Sequence, residues 1–388
     1  MAEHQGQRGA VDPGLSRRDF LAMLAATGPM LAARGRAEGA FGDRPMGAVI
    51  QIVMTGGASQ LETFDPKPDA PSAIRGPFDS IATSIPGVRI CEHLPNVAKR
   101  LDRMTVVRGL TLPSASPIHE VGLQMIHTGR LSLLDDPIAP HFGSAASALL
   151  GGRGGMPAFV MTGGAFEVAW SRLSTGQGAG FLGDRHAPET GSSAELSARL
   201  GLPSRLSGDE ADYGDHEFGR SCLLARRLVE QGSRVVTVNM ASSVHDEMSW
   251  DAHGSKPFSN FDALRRGTLP AFDQGFSALI DDLDARGLLA TTLVIAVGEF
   301  GRGPVINPRG GRDHWPRAWS GLLAGGPAEA GAVWGATDSS AGEVVDRPTS
   351  PTKLVELAYR TLGIDPEMSI AAPDGRAFRL LDATNRRA

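Results

Sequence analysis

Cysteine is scarce in this sequence: two residues in 388, Cys91 and Cys222, lying 131 positions apart. So small a supply excludes a disulfide-built scaffold. The two thiols either pair, if the chain works in an oxidising compartment, or sit buried as small apolar groups. No apolar run reaches the roughly 18 residues of a membrane-spanning helix. An excess of basic charge is missing too: 38 Lys and Arg face 43 Asp and Glu, for a net charge of −5. That argues against a nucleic-acid partner, which needs a basic face. Gly (49) and Pro (26) stay below the share that marks low-complexity or collagen-like chains. No internal repeat is visible. What is left is a globular chain, long enough for one large or two medium domains around a sizeable core.

Residues 1–37 read as an export signal. Ser16-Arg17-Arg18-Asp19-Phe20-Leu21 matches the twin-arginine pattern, and a moderately apolar stretch from Leu21 to Ala33 follows it. The stretch holds Gly28 and Pro29 and is too short to span a bilayer. Ala33, Ala37 and Ala40 are candidate cleavage points. The expected location is periplasmic or extracellular, by the twin-arginine route. No Cys lies near the cleavage region, so a lipid anchor is not expected.

Beyond the signal, short continuous apolar runs predict strands at Gly47–Met54, Met104–Arg108, Pro157–Met161, Arg234–Met240, Thr291–Val297 and Ser320–Ala324. Continuous rather than alternating apolarity means strands covered on both faces. Helical patterns fall between them, at Leu94–Arg103, His119–Thr128, His141–Leu150, Glu217–Gln231, Phe272–Arg286 and Thr352–Leu362. Gly232, Gly287 and Gly363 are placed to end the last three. Strands alternating with helices predict an α/β sandwich, a single domain over 45–385, with a loop-rich segment at 170–216 that covers a site or meets a partner.

Polar clusters follow several of these strands, where α/β proteins gather their binding groups. The first, Thr55 to Lys67, offers Ser59, Glu62 and Asp65. The second is His119-Glu120 at a helix N-terminus, where free N–H groups favour an anion. The third runs from Val244 to His253, with Asp251 and His253 two apart. An imidazole and a carboxylate at that spacing suit Zn, Mn or Fe. Glu299 and Arg302 lie in the fourth, Gly298-Glu299-Phe300-Gly301-Arg302. The fifth, Gly310-Gly311-Arg312-Asp313-His314-Trp315, crowds four side-chain chemistries together. Each alone reads more readily as a turn, a cap or a solvated loop. Together they predict one shared polar site, with a metal in it as an open alternative.

The segments GGASQLETFDPK (56–67), HEVGLQMIHTGR (119–130), SWDAH (249–253), RGLLATTLVIAVGEFGRGPVIN (286–307) and GRDHW (311–315) resemble the exported sulfatase-like family called domain of unknown function 1501. The resemblance runs from about residue 47 to 385 and rests above all on WDxH, GEFGR and GRDHW in that order. That family is similar to the alkaline phosphatase and sulfatase superfamily. The resemblance implies a mixed sheet sandwiched between helices and a metal-supported site at one sheet edge. It implies hydrolysis of an anionic ester, a phosphate or sulfate on a small molecule or polysaccharide. Asp251, His253 and His314 would bind a divalent metal (Zn, Mn or Ca), with Glu299, Asp313 and an acid from Glu62 to Asp65 nearby. Arg302 and Arg312 would neutralise developing charge.

His119 falls where sulfatases carry their nucleophile, which makes it a nucleophile, a general acid or a ligand. Ser116 is a fallback nucleophile. Neither Cys has the surroundings for formylglycine formation, so a standard sulfatase is excluded. Gln60 replaces the family's His, Gly303 its Thr, and Phe300 the superfamily's ligand His. These departures open an alternative: a non-catalytic envelope binding or assembly protein on the same fold.

Overall fold

The computed structural model describes residues 47–381, apart from 113, 115, 132–137, 168–172, 204–207, 246–248 and 373. The signal segment and Asp246 and Glu247 of the third cluster therefore lie outside the described residues. The main sheet is built from β1 (Ala48–Val53), β2 (Met104–Leu110), β3 (Phe159–Thr162), β4 (Glu189–Gly191), β5 (Val235–Asn239), β6 (Thr292–Val297), β7 (Trp319–Ala324) and β8 (Ala332–Trp334). Their spatial order is β8-β2-β7-β6-β1-β5-β3-β4. All neighbours run parallel except β7, which is antiparallel to both β2 and β6. The sheet is thus mixed, and β1, β2, β5 and β6 all point their carboxyl ends at one edge.

Alternation sorts the strand residues by face. Ile50, Ile52, Val236, Val238, Val294 and Ala296 pack on the side covered by α4 (Glu217–Gln231) and α5 (Leu269–Ala285). Val49, Val53, Val235, Leu293, Ile295 and Val297 face α1 (His119–Thr128), α2 (Phe142–Leu150) and α6 (Pro351–Thr361). α3 (Ser193–Arg199) lies near the β4 edge. With β1, β5 and β6 buried throughout, their runs had to be apolar on both faces. At about 1.5–3 kcal/mol per fully buried aliphatic side chain, this core makes the carboxyl edge a rigid platform.

The sequence-based readings of the central strands and of α1, α2, α4, α5 and α6 agree with the structure to within a few residues. One reading needs correction, and two others become specific. The helix expected over Leu94–Arg103 is a short turn of helix, Pro95–Ala98, then a 3-10 turn, Leu101–Arg103. The chain must leave helical geometry there to enter β2 at Met104. Segment 170–216 contains β4 and α3, the latter opened by a Ser192/Glu195 capping box. Cys91 and Cys222 are separate free thiols, both buried. Burial pushes the Cys91 thiol up to about 12 and that of Cys222 well above its ordinary value. Among the described residues, no helix is long and apolar enough to cross a membrane.

Candidate metal centre

The carboxyl edge collects side chains from four segments. β6 ends at Val297, and Glu299 follows it two residues on. The long connection after β5 returns at Ser249–His253, where Trp250 N–H donates to Thr55 O beyond the end of β1. The connection after β2 delivers His119 as the first residue of α1. His314 arrives on a two-stranded ribbon, Gly301–Arg302 with His314–Trp315, in which it pairs directly with Arg302. That ribbon feeds antiparallel β7, which starts at this edge. Two backbone details allow the convergence. Gly56 has φ +105° and sits so close that a Cβ would lie 2.5 Å from Asp251 N. Gly122 brings α1 against the Glu299 backbone in the same way, with 2.3 Å from an added Cβ to Glu299 O.

At the centre is Asp251, fully buried. Its Oδ1 lies 3.1 Å from His253 Nε2 and 3.2 Å from His314 Nε2, and it accepts from the Arg302 guanidinium. The two imidazole nitrogens are 2.9 Å apart. On the other side, His119 Nδ1 meets Glu299 Oε1 at 2.7 Å, and that same oxygen accepts the Gly56 N–H at 2.9 Å. His119 Nε2 is 3.7 Å from Asp251 Oδ2, beyond hydrogen-bond reach. Phe300 packs against both His119 and His314, with Phe166 behind His119 and Phe258 beside His253. These rings dry the walls, which strengthens every charge inside.

Hydrogen bonds fix which atoms carry lone pairs. His314 Nδ1 donates to Pro117 O at 2.7 Å, so its Nε2 faces inward unprotonated. Burial, reinforced by the nearby Arg302 charge, lowers its pKa to about 4 and keeps the ring neutral. His253 Nδ1 looks outward to Asp313 Oδ1 at 3.5 Å. Burial opposes charge on His119, but the Asp251 and Glu299 carboxylates outweigh it and raise its pKa to about 9. Burial also works against the Asp251 carboxylate, yet Arg302 and the three imidazoles hold its pKa well below the usual range.

Two oxygens have no partner. Asp251 Oδ2 and Glu299 Oε2 are both buried and, among the described residues, accept no hydrogen bond. Such atoms are costly unless a cation meets them. One nitrogen or oxygen each from His119, Asp251 and His314 lies within 4.8 Å of the other two, a spread that one ion can bridge. The residues present therefore fit a divalent metal, and their mixture of imidazole and carboxylate fits Zn or Mn better than the all-oxygen preference of Ca.

Not every residue singled out in the sequence joins this cluster. Glu62 and Arg312 are spent on each other: the guanidinium donates to both carboxylate oxygens, at 2.8 Å and 2.7 Å for the shortest pairs, and also to Ile74 O and Gly303 O. Asp65 is held by Lys67 at 3.0 Å, by Arg108 at 3.3 Å and by the Thr337 hydroxyl. Their carboxylates are satisfied without an ion, so the expectation of a ligand among Glu62 to Asp65 is replaced by two structural anchors. Arg302 is fully buried, its donors committed to Gly56 O, Gly57 O, Arg312 O and Asp251. It positions rather than reaches outward. Asp313 is largely exposed and touches the cluster only through His253. Ser116 is half-exposed on the approach to α1 and takes no part in the cluster's contacts.

Gln60, where the resemblance led one to look for a His, is a clamp. It accepts from Arg302 N at 3.0 Å and donates to Arg302 O and Ala341 O at 2.9 and 2.8 Å. The Pro117 carbonyl, the Gly56 amide and the Phe166 wall were not foreseen. Pro117 alone carried a signal, lying two residues before His119.

Distant likenesses exist among solved structures. The C-terminal periplasmic domain of EcEptC from Escherichia coli, crystallised with Zn, is 11% identical with a TM-score of 0.44, over 89% of this chain and 96% of that one. The lipoteichoic acid synthase LtaP from Listeria monocytogenes is 9% identical with a TM-score of 0.42, over 88% and 76%. Alkaline phosphatase from the Antarctic bacterium TAB5 is 10% identical with a TM-score of 0.42, over 81% and 98%. Among curated proteins none matches the chain. The family described as "Protein of unknown function (DUF1501)" matches residues 47–210 and 192–388, nearly everything beyond residue 46, and the chain belongs to it.

Proposed function

We propose that this protein is an exported, metal-dependent hydrolase of an anionic ester, a phosphate or sulfate carried by a small molecule or a polysaccharide. The observation that carries the reading is the buried Asp251 Oδ2, which finds no hydrogen-bond partner among the described residues and lies 3.7 Å from His119 Nε2, within a His119, Asp251 and His314 group whose ligand atoms are within 4.8 Å of one another. His119, Asp251 and His314 would hold the ion, with Glu299 beside them. When bound, the ion supplies a Lewis acid for the ester oxygen and lowers the pKa of water.

The chain's own residues prepare for an anion. α1 begins without a side-chain cap among the described residues, and its N-terminal turn, with His119 and Glu120, presents the helix's positive end to an anion. Glu299 fixes the His119 ring through Nδ1 and turns its Nε2 to the centre. This makes His119 a ligand in our reading, in place of the nucleophile that its position implied. His253 turns its Nδ1 to Asp313 and sets its Nε2 against Asp251 and His314 at the inner side of the cluster. Arg302 holds Asp251 and His253 in place from below. Export is supported by the Ser16-to-Leu21 twin-arginine pattern and the apolar stretch after it.

Metal analysis of the purified mature protein, grown with Zn and Mn, tests this. About one equivalent is expected, with turnover of an aryl phosphate or aryl sulfate that an Asp251→Asn, His314→Ala variant loses along with the ion. Protein that folds without retaining metal overturns the proposal, as does turnover that survives in that variant. Replacing Arg17 and Arg18 by Lys should trap the chain inside the cell; continued export would refute the signal.

A further inference from the structure

We infer that the site takes a single metal ion and that the Arg302 guanidinium serves as its second, permanent cation. The two oxygens of Asp251 are treated differently. Oδ1 is met by Arg302, whereas Oδ2 has no partner and faces His119. The guanidinium also approaches His253 Nε2 at 3.3 Å. It thus covers Asp251 Oδ1 and His253 Nε2, two atoms that would otherwise be open to a second ion.

This guanidinium cannot swing aside. It is fully buried and donates to Gly56 O, Gly57 O and Arg312 O as well as to Asp251. Its backbone is pinned on both sides by Gln60. Gln60 therefore has a double consequence: it adds no imidazole to the site, and it locks the Arg that fills one side of Asp251. Charge points the same way. Asp251 and Glu299 bring two buried negative charges and Arg302 removes one; with His119 neutral as a ligand, one divalent ion would leave the pocket slightly positive, ready for an anion. A second ion would have to share a buried space with a guanidinium it could not displace.

The inference rests on the metal reading, and one experiment separates the two. Stoichiometry is measured by metal analysis and by titrating metal-stripped protein with Co(II), following the ligand-field absorption. Wild type should saturate at about one equivalent. Arg302→Gln, which keeps an amide donor for the Gly56 and Gly57 carbonyls, should take about two. Arg302→Lys, which keeps the charge, should stay at about one. Two equivalents in wild type overturn the inference but leave the hydrolase reading standing, and so does one equivalent in Arg302→Gln. No binding to wild type overturns the hydrolase reading itself. If Arg302→Gln fails to fold, the wild-type value alone still decides between one ion and two.

Discussion

Glu62 and Glu299 are both buried acids in polar loops following a central strand, and only their neighbours separate them. Glu62 faces the Arg312 guanidinium; Glu299 faces an imidazole and keeps one oxygen unpartnered. Removing one partner of a buried pair leaves the other's charge uncompensated, at a cost of about 3–5 kcal/mol. Glu62→Ala should therefore lower stability by about that much in urea unfolding and leave metal content unchanged. Loss of metal with intact stability would mean that Glu62 is a ligand after all. The comparison also marks what residue types can reveal. Asp251, His253, Glu299 and His314 could be nominated from the sequence because each sits just beyond a strand or in a dense polar motif. The sequence could not show that Glu62 and Asp65 are already satisfied by Arg312, Arg108, Lys67 and Thr337, because those partners come from remote segments. Nor could it turn Gln60 from a failed ligand into a clamp on Arg302.

At the scale of elements, the central strands were legible because double burial demands uninterrupted Val, Ile, Leu and Ala, a pattern that no loop shows. The edge strands β4 and β8 were not: three residues each, mostly half-exposed, they carry no such run. α1 is the element on which the site depends most. Gly122 lets its backbone rest on the turn that holds Glu299. Gly122→Ala must lift the helix or shift that turn, at about 1–3 kcal/mol of stability, and carry His119 away from Asp251. Weaker metal affinity in a Co(II) titration, with the helix content by circular dichroism retained, is the expected result; unchanged affinity would show that α1 tolerates the shift.

The other end of α1 gives a pH prediction. His127 is fully buried, with Nδ1 donating to Thr175 O at 3.0 Å and its ring against His141, whose own Nδ1 accepts the Gly143 N–H and caps α2. Burial lowers the His127 pKa to about 4 and that of His141 well below its ordinary value; only the distant Glu299 charge and the Thr175 carbonyl favour the protonated form of His127. A neutral histidine costs nothing above the unfolded pKa of about 6.5. Below it, the unfolded chain takes up the proton and the folded chain does not, so stability is lost as pH falls from about 6.5 to 4. For His127 alone the loss is about 3 kcal/mol. His127→Gln, which keeps the donor to Thr175, should flatten the urea midpoint across that window relative to wild type. Equal slopes would mean that His127 does not titrate in this way.

For the molecule as a whole, the site is a knot tied among segments that the sheet only brings near. His119 follows β2, Asp251 follows β5, Glu299 follows β6 and His314 precedes β7, so the proposed ion would cross-link regions nearly 200 residues apart in sequence. An ion that binds the folded chain and not the unfolded one adds stability by mass action, about 4 kcal/mol at a thousandfold excess over its dissociation constant. In a chain of this size about 4 kcal/mol corresponds to several degrees in thermal midpoint, on the order of 8 °C or somewhat less. Chelation should lower the midpoint by that amount, and Zn or Mn should restore it. The response must disappear in Asp251→Asn, because that variant loses the carboxylate that meets His119, His253, His314 and Arg302. A metal-containing wild type whose midpoint ignores the chelator would place its ion at the periphery, where it ties nothing together. A chelator response that persists in Asp251→Asn would place it elsewhere in the fold. Loss of the response in that variant alone would tie the protein's thermal stability to the same atoms that are proposed to carry its chemistry.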